Sequence, residues 1–457
     1  MSIGLSNSRI IAAYKERTKR SAELIADARK SFPSGITHDS RYLKPYGIYI
    51  EKAMGARKWD IDGNEYIDYF GGHGALMLGH NPPEVSKAVH EAYDEGTHFG
   101  ANHPREVRWA QIVQELVPSA ARVRFTSSGT EATHMALRLA RAFTGKDKLI
   151  RYRTNFHGWH DHMTSGFSSH FDGKATPGVL PGLAEKIVLL PPGDVEATKE
   201  TLERDPDIAA IILEPTGGLF GKVPVTTQFV SELRDITTKN DILLIFDEVV
   251  TGFRVSPTGF QGRHDIIPDL TTLAKILAGG LPGGAVVGRE DILAALDFDA
   301  ARRTDREKIQ HQGTFNANPV SAAAGISTLN IVRHTNPCDI ANDYGNRLRT
   351  LLNSVLKEES IPWAAYGEYS ALHLFTNPDN YSIDPENFKA NEYRYDQLIK
   401  QNGDVIQKLR LAMIINGVDF NGWPGAIISA AHTERELTDT ASAFRESLSM
   451  LKNEQLI

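Results

Sequence analysis

The chain has 457 residues, 41% of them hydrophobic and 23% charged, the proportions of a globular protein with a substantial core. Its formal net charge is −7 and no block of Lys and Arg stands out, so nothing supports a nucleic-acid partner. Cys338 is the only cysteine, which excludes an intrachain disulfide and a thiolate zinc site and fits a reducing cytoplasm.

At a soft prior of about 150 residues per domain, the length predicts one large domain and a smaller partner. The stretch Met1 to Lys30 is polar and charged and lacks the apolar centre of a signal peptide. Within it, Ile10, Ile11, Tyr14, Leu24 and Ile25 recur at helical spacing and predict an amphipathic helix over about 9–30. Asp60-Ile61-Asp62-Gly63-Asn64-Glu65, flanked by Arg57-Lys58-Trp59 and Tyr66-Ile67-Asp68-Tyr69, predicts a hairpin. The middle alternates short apolar runs with helical patterns. Strands are expected at Val123–Thr126, Lys148–Arg151, Ile187–Leu190, Ile208–Leu213, Ile242–Phe246, Leu270–Ala274 and Gly284–Val287, with helices at Thr130–Phe143 and Thr226–Thr237 among them. Continuous apolar runs mark strands buried on both faces, as in a mostly parallel sheet covered by helices. From about residue 330 helical patterns (340–357 and 391–416) flank a short stretch at Tyr366–Phe375 and an apolar run at Ala426–Ala430. The fold expected is therefore α/β: an N-terminal segment 1–70 that joins the small domain, a large domain 71–330, and a C-terminal small domain 331–457. No apolar run approaches the length of a membrane span.

Sheets of this kind bind ligands at the carboxyl ends of their strands, so polar residues that follow an apolar run come first. Phe125-Thr126-Ser127-Ser128-Gly129-Thr130-Glu131 turns from a strand into a helix. Amides and hydroxyls there would cradle a phosphate; a plain Ser/Thr N-cap explains the same residues. Asp247 follows the run Ile242–Phe246 directly. A buried carboxylate there calls for a cation, such as a protonated pyridine nitrogen, although a capping or metal-binding Asp fits too. Lys275 lies in Leu273-Ala274-Lys275-Ile276-Leu277, ahead of Gly279-Gly280. Burial would lower its pKa and let a neutral amine form an imine with an aldehyde; the alternative is a snorkelling surface lysine. Arg153-Thr154-Asn155-Phe156-His157-Gly158-Trp159-His160-Asp161-His162 carries three histidines, but not at a recognised zinc spacing, so no metal is expected. Phe156 could instead stack on a planar ring.

Taken in order, Ser127–Ala132, Asn155-Phe156-His157-Gly158, Phe246-Asp247-Glu248-Val249-Val250-Thr251-Gly252-Phe253-Arg254, the Lys275 segment with Gly279–Gly284, and His311–Pro319 resemble the class III aminotransferases, a branch of the fold-type-I pyridoxal-phosphate enzymes. The likeness runs from about residue 30 to 435. Within the class the chain resembles the glutamate-1-semialdehyde aminomutase group. Closer still, Phe70–Leu76, His103–Ala110, His170-Phe171-Asp172-Gly173 and Ala365-Tyr366-Gly367 resemble the D-phenylglycine aminotransferases. The resemblance implies a large domain built on a mostly parallel seven-stranded sheet, a smaller α/β domain, and pyridoxal 5′-phosphate as cofactor. It implies Lys275 as the Schiff-base lysine and proton carrier, and Asp247 as the partner of the pyridine nitrogen. It places Phe156 and Val249 on the two ring faces, and Ser128, Gly129 and Thr130 on the phosphate. Thr314 would reach the phosphate of a neighbouring subunit, which implies a homodimer. Arg41 would take a substrate carboxylate, a role suited to a bidentate guanidinium, and Trp423 would line an apolar or aromatic substrate pocket.

Two stretches depart from that pattern. Where the aminomutase group often has an asparagine after Glu214-Pro215, this chain reads Thr216-Gly217-Gly218-Leu219-Phe220. Asn421-Gly422-Trp423-Pro424-Gly425 replaces the glutamate-bearing gate of the aminomutases, and it lacks the arginine expected of a D-phenylglycine aminotransferase. The activity expected is amino transfer from an amino acid, an aryl D-amino acid such as D-phenylglycine among the candidates, to a keto acid such as 2-oxoglutarate. The rivals are an intramolecular aminomutase, a racemase on the same scaffold, and a non-catalytic cofactor-binding protein, the last opposed by the presence of both Lys275 and Asp247.

Overall fold

The computed structural model describes residues 7–457. The chain divides into two compact units. One comprises the chain up to Pro82 together with Ile340–Lys389 and Lys400–Ile457; the other comprises Pro83–Asp339 and Ala390–Ile399.

The second unit is built on a seven-stranded sheet whose spatial order is Arg122–Thr126, Gly284–Gly288, Leu270–Ala274, Leu243–Asp247, Ile208–Leu213, Lys148–Tyr152, Ile187–Leu190. All seven strands expected from the apolar runs lie in it. Only Gly284–Gly288 runs against its neighbours; the other pairs are parallel. The central runs, Ile208–Leu213 and 243–246, are apolar throughout because both faces are covered. Ile212, Leu243 and Ile245 pack with Ala136, Leu137 and Ala140 of the Gly129–Thr144 helix. Their neighbours Ile211, Leu213, Leu244 and Phe246 turn the other way, onto Phe229, Val230 and Leu233 of the Thr227–Lys239 helix. Strand side chains alternate with period two, so each run serves two cores at once.

The first unit holds a four-stranded sheet of Ile50–Met54, Arg57–Asp60, Glu65–Asp68 and Val418–Asp419, and a three-stranded sheet of Ala364–Tyr366, Ala371–Phe375 and Gly425–Ile427. The hairpin expected at 57–69 is present, with Arg57 opposite Ile67. The single helix expected over 9–30 is two helices, Arg9–Arg17 and Lys19–Ser31. Thr18 breaks it: its hydroxyl turns back to the Tyr14 carbonyl at 2.7 Å and meets the Tyr46 hydroxyl at 3.2 Å, in non-helical backbone. The pattern over 391–416 is likewise interrupted, by Asn402. Its side chain caps the Gly403–Ile415 helix at the amides of Asp404 and Val405.

Parallel pairing of Glu65–Asp68 with Val418–Asp419 sets Asp68 beside Asp419. The Lys58 amine lies between these buried carboxylates, 2.6 Å from Asp68 and 2.8 Å from Asp419, and His80 Nε2 approaches Asp68 at 2.7 Å. Burial alone would raise the Asp68 pKa; Lys58 and His80 outweigh it and hold the carboxyl well below the usual range. A depressed folded pKa gives stability that is fully present above the unfolded value, about 3.9, and is lost as pH falls from there through the lower folded value. Lys58→Met removes the ammonium shared by two facing buried carboxylates and is expected to cost about 3–5 kcal/mol. Urea midpoints of the two proteins should differ most near neutral pH and converge in acid.

Candidate active site

The parallel strands end along one edge of the seven-stranded sheet, and the residues just beyond them gather there. Asp247 ends the Leu243–Asp247 strand and is buried. Its Oδ2 accepts from His157 Nδ1 at 2.7 Å; its Oδ1 accepts from Thr272 Oγ1 and from the Val249 amide, each at 3.1 Å. These donors satisfy both oxygens and fix the plane of the carboxylate. His157 is fully buried; burial lowers its pKa against the pull of Asp247, and the ring donates from Nδ1 to that carboxylate. Its Nε2 is left buried without a hydrogen-bond partner.

Thr272 pairs with Asp247 across neighbouring strands, and three residues further on the chain reaches Lys275. Lys275 has φ 54°, in the left-handed region that a long side chain avoids. Strain of this kind costs of order 1–3 kcal/mol and persists only where the surroundings impose it. Burial lowers the pKa of the amine; the pull of Asp247 and Glu214 opposes this and Arg254 adds to it. Among the described residues the amine makes no hydrogen bond or ion pair of its own.

The next strand end along the edge carries Glu214, which is buried and whose pKa is pushed up to about 7 by burial and by Asp247. It binds the amide of Phe156 at 2.7 Å. The Phe156 ring itself is 43% exposed, a large apolar face in a region of otherwise buried residues. At the near end, Ser128 Oγ caps the Gly129–Thr144 helix by accepting from the Glu131 amide at 3.2 Å. The amides of Gly129 and Thr130, ahead of that cap, find no acceptor among the described residues. The turn thus holds a side-chain cap and two open amides together.

Close approaches tie these parts together. A Cβ on Gly129 would lie 3.1 Å from both Val249 methyl groups and 3.4 Å from Ala274 Cβ; one on Gly158 would lie 2.7 Å from Thr130 Oγ1. Ser128, Gly129, Thr130, Phe156, Asp247, Val249 and Lys275 therefore share one neighbourhood. Thr314 belongs to the same unit but is exposed, its carbonyl accepting from His98 Nε2 at 2.6 Å. Arg41 and Trp423 belong to the first unit. The Arg41 guanidinium donates to Thr37 Oγ1 at 2.7 Å, and the Trp423 indole N–H is buried without a partner. His134, His160 and His162 pack ring on ring at 4.9–5.7 Å. Burial, then the neighbouring imidazoles or Arg141, depress His160 to about 3 and His162 to about 4. Among the described residues no group of three or more His, Cys, Asp or Glu is placed to hold a metal ion.

His157 and Glu214 were not singled out by the sequence reading. Glu214 follows the apolar run Ile208–Leu213 as Asp247 follows its own, so the same signal marks it. His157 carries no comparable mark, since its partner lies 90 residues away.

The family description "Aminotransferase class-III" matches residues 38–363. This chain belongs to the class III aminotransferases. It is 36% identical over 448 residues to the glutamate-1-semialdehyde 2,1-aminomutase of Methanopyrus kandleri, covering 96% of this chain and 99% of that one. It superposes on the omega-transaminase of Sphaerobacter thermophilus with a TM-score of 0.86 at 29% identity, covering 96% of this chain and 99% of the other. A transaminase with bound pyridoxal phosphate gives a TM-score of 0.83, also at 29% identity with coverage of 96% and 99%. The fold is that of a fold-type-I transferase, and the enzyme is pyridoxal-phosphate dependent. The residues present fit that cofactor: an unpartnered amine for its aldehyde, a fixed carboxylate for its ring nitrogen, open amides at a helix start for its phosphate, and an apolar face for its ring.

A Cβ on Gly284 would meet the Ser128 carbonyl oxygen at 2.4 Å and Thr126 Oγ1 at 2.7 Å. The backbone of the helix start cannot retreat without moving the amides. Gly284→Ala is expected to cost about 1–3 kcal/mol of stability. It should also weaken pyridoxal phosphate about tenfold, read by absorbance titration of the apoprotein.

Proposed function

We propose that this enzyme transfers amino groups through Lys275. The observation that carries the proposal is the Lys275 amine, its pKa lowered by burial on a left-handed backbone, in the neighbourhood of a carboxylate fixed by His157, Thr272 and the Val249 amide. When bound, pyridoxal phosphate supplies an aldehyde for imine formation and an electron-poor ring that takes up negative charge from the substrate. Asp247 holds a proton on the ring nitrogen, and His157 and Thr272 keep its oxygens aimed. Lys275 would hold the cofactor aldehyde and would carry a proton to and from the substrate Cα; positioned proton transfer of this kind contributes about 10²–10⁴-fold. The amides of Gly129 and Thr130 and the hydroxyl of Ser128 bind the phosphate, and Phe156 and Val249 enclose the ring. Arg41 and Trp423 contact the substrate. The enzyme acts as a cytoplasmic homodimer in which Thr314 serves the neighbouring subunit's phosphate site.

For the substrate, the curated relative supports intramolecular transfer between adjacent carbons, of the glutamate-1-semialdehyde type. A second reading, transfer from an amino acid to a separate keto acid such as 2-oxoglutarate, is favoured by the Asn421–Gly425 segment. In place of a glutamate gate it carries Trp423, whose buried indole N–H is unpaired, and Asn421, 1% exposed with neither side-chain polar atom partnered. Such a segment suits a neutral side chain, and an aryl D-amino acid such as D-phenylglycine is the donor to try first.

Borohydride reduction of the holoenzyme is expected to fix the cofactor covalently to Lys275, seen by peptide mapping. Lys275→Ala should lose at least about 10³-fold in turnover; full turnover in that variant ends the proposal. An intermolecular enzyme bleaches its cofactor band with donor alone and recovers it with a keto acid, whereas an aminomutase turns over glutamate-1-semialdehyde with no second substrate. Chiral analysis of the donor without keto acid identifies a racemase.

A further inference from the structure

The strands Lys148–Tyr152 and Ile208–Leu213 are parallel neighbours, and the loops that leave them interlock. Glu214 lies at the centre of the lock, 6% exposed. Its Oε1 accepts from the amides of Phe156 at 2.7 Å and Leu219 at 3.1 Å; its Oε2 accepts from the amide of Phe220 at 3.1 Å. Its own amide donates to Asn155 Oδ1 at 2.8 Å, and the Asn155 carbonyl accepts from the buried Arg151 guanidinium. Leu219 and Phe220 are held at φ 55° and 54°, a left-handed pair that donates both amides to one carboxylate. A Cβ on Gly218 would meet Thr154 Oγ1 at 2.5 Å, so no slack remains between the loops. Every bond to the Glu214 carboxyl comes from a backbone amide, which makes that side chain a clamp on chain path.

From this geometry we propose that Glu214 is a positioning residue for the cofactor ring, holding the Phe156 backbone so that the exposed Phe156 ring presents a fixed stacking face. The inference rests on the reading of Lys275 and Phe156 given above. Three amides converge on this one buried carboxyl, and its loss would orphan three N–H groups. The loop would then relax and Phe156 would wander relative to Asp247.

The test is a double-mutant cycle on the apoprotein with Glu214→Gln, Phe156→Ala and the double variant. Pyridoxal phosphate affinity is read by absorbance titration and ring orientation by the induced circular dichroism of the bound cofactor. Glu214→Gln keeps an acceptor for two amides but sets N–H against N–H at the third. Each single variant is expected to weaken cofactor binding about tenfold and shrink the induced signal, with the double variant no weaker than Phe156→Ala alone. Wild-type affinity in Glu214→Gln, or a loss that adds in full to that of Phe156→Ala, overturns the role. Should Glu214→Gln fail to fold, Glu214→Asp, which keeps the charge and withdraws it by one methylene, enters the same cycle. Borohydride labelling of wild-type Lys275 runs alongside. Labelling with an additive cycle overturns the Glu214 role alone; absence of labelling overturns the reading of Lys275 and this one with it.

Discussion

Taking the Asp247 carboxylate out of water is the act on which the rest of the site depends. A desolvated carboxylate is costly, and here the groups that bind it directly are an imidazole whose pKa burial lowers, a hydroxyl and one amide. Those donors fix direction and recover part of the cost. The carboxylate is therefore poised for a cation that can dock along its free lone pairs. The protonated nitrogen of an aromatic ring fits, and its electron-withdrawing character would be strengthened by the same ion pair.

That poise requires rigidity in loops, which are ordinarily the mobile part of an α/β unit. Stiffness comes from polar side chains that bind backbone. Arg151 donates to the carbonyls of Met163, Ser165 and Asn155, and Glu248 accepts from the amides of Phe260 and Gln261. Glycines let segments approach where any Cβ would collide, as at Gly158 against Thr130. The sheet supplies the fixed edge; these contacts carry its precision outward by one turn of chain.

Much of this was legible in the sequence because burial on both faces leaves a plain mark. Runs such as Ile208–Leu213 and 243–246 have no polar position, and both are strands of the seven-stranded sheet. The polar residue ending a run was equally visible for Asp247. At the Ser127–Thr130 turn the cap reading is met, since Ser128 caps one amide, and the amides it leaves open keep room for the cradle reading beside it. What stayed hidden depends on partners distant in sequence. Thr18 breaks a helix with the help of Tyr46, 28 residues on, and local periodicity carries no trace of that. His157 sits among histidines that carry no metal spacing, and nothing local in that run points to its bond with a carboxylate at the end of another strand.

The left-handed backbone at Lys275 sets durability against activity. A glycine occupies that conformation without penalty, so the replacement that abolishes the amine also relieves the turn. Selection for thermal endurance alone would drift toward a sturdier, silent protein, and only the demand for chemistry keeps a long side chain where the main chain would rather have none.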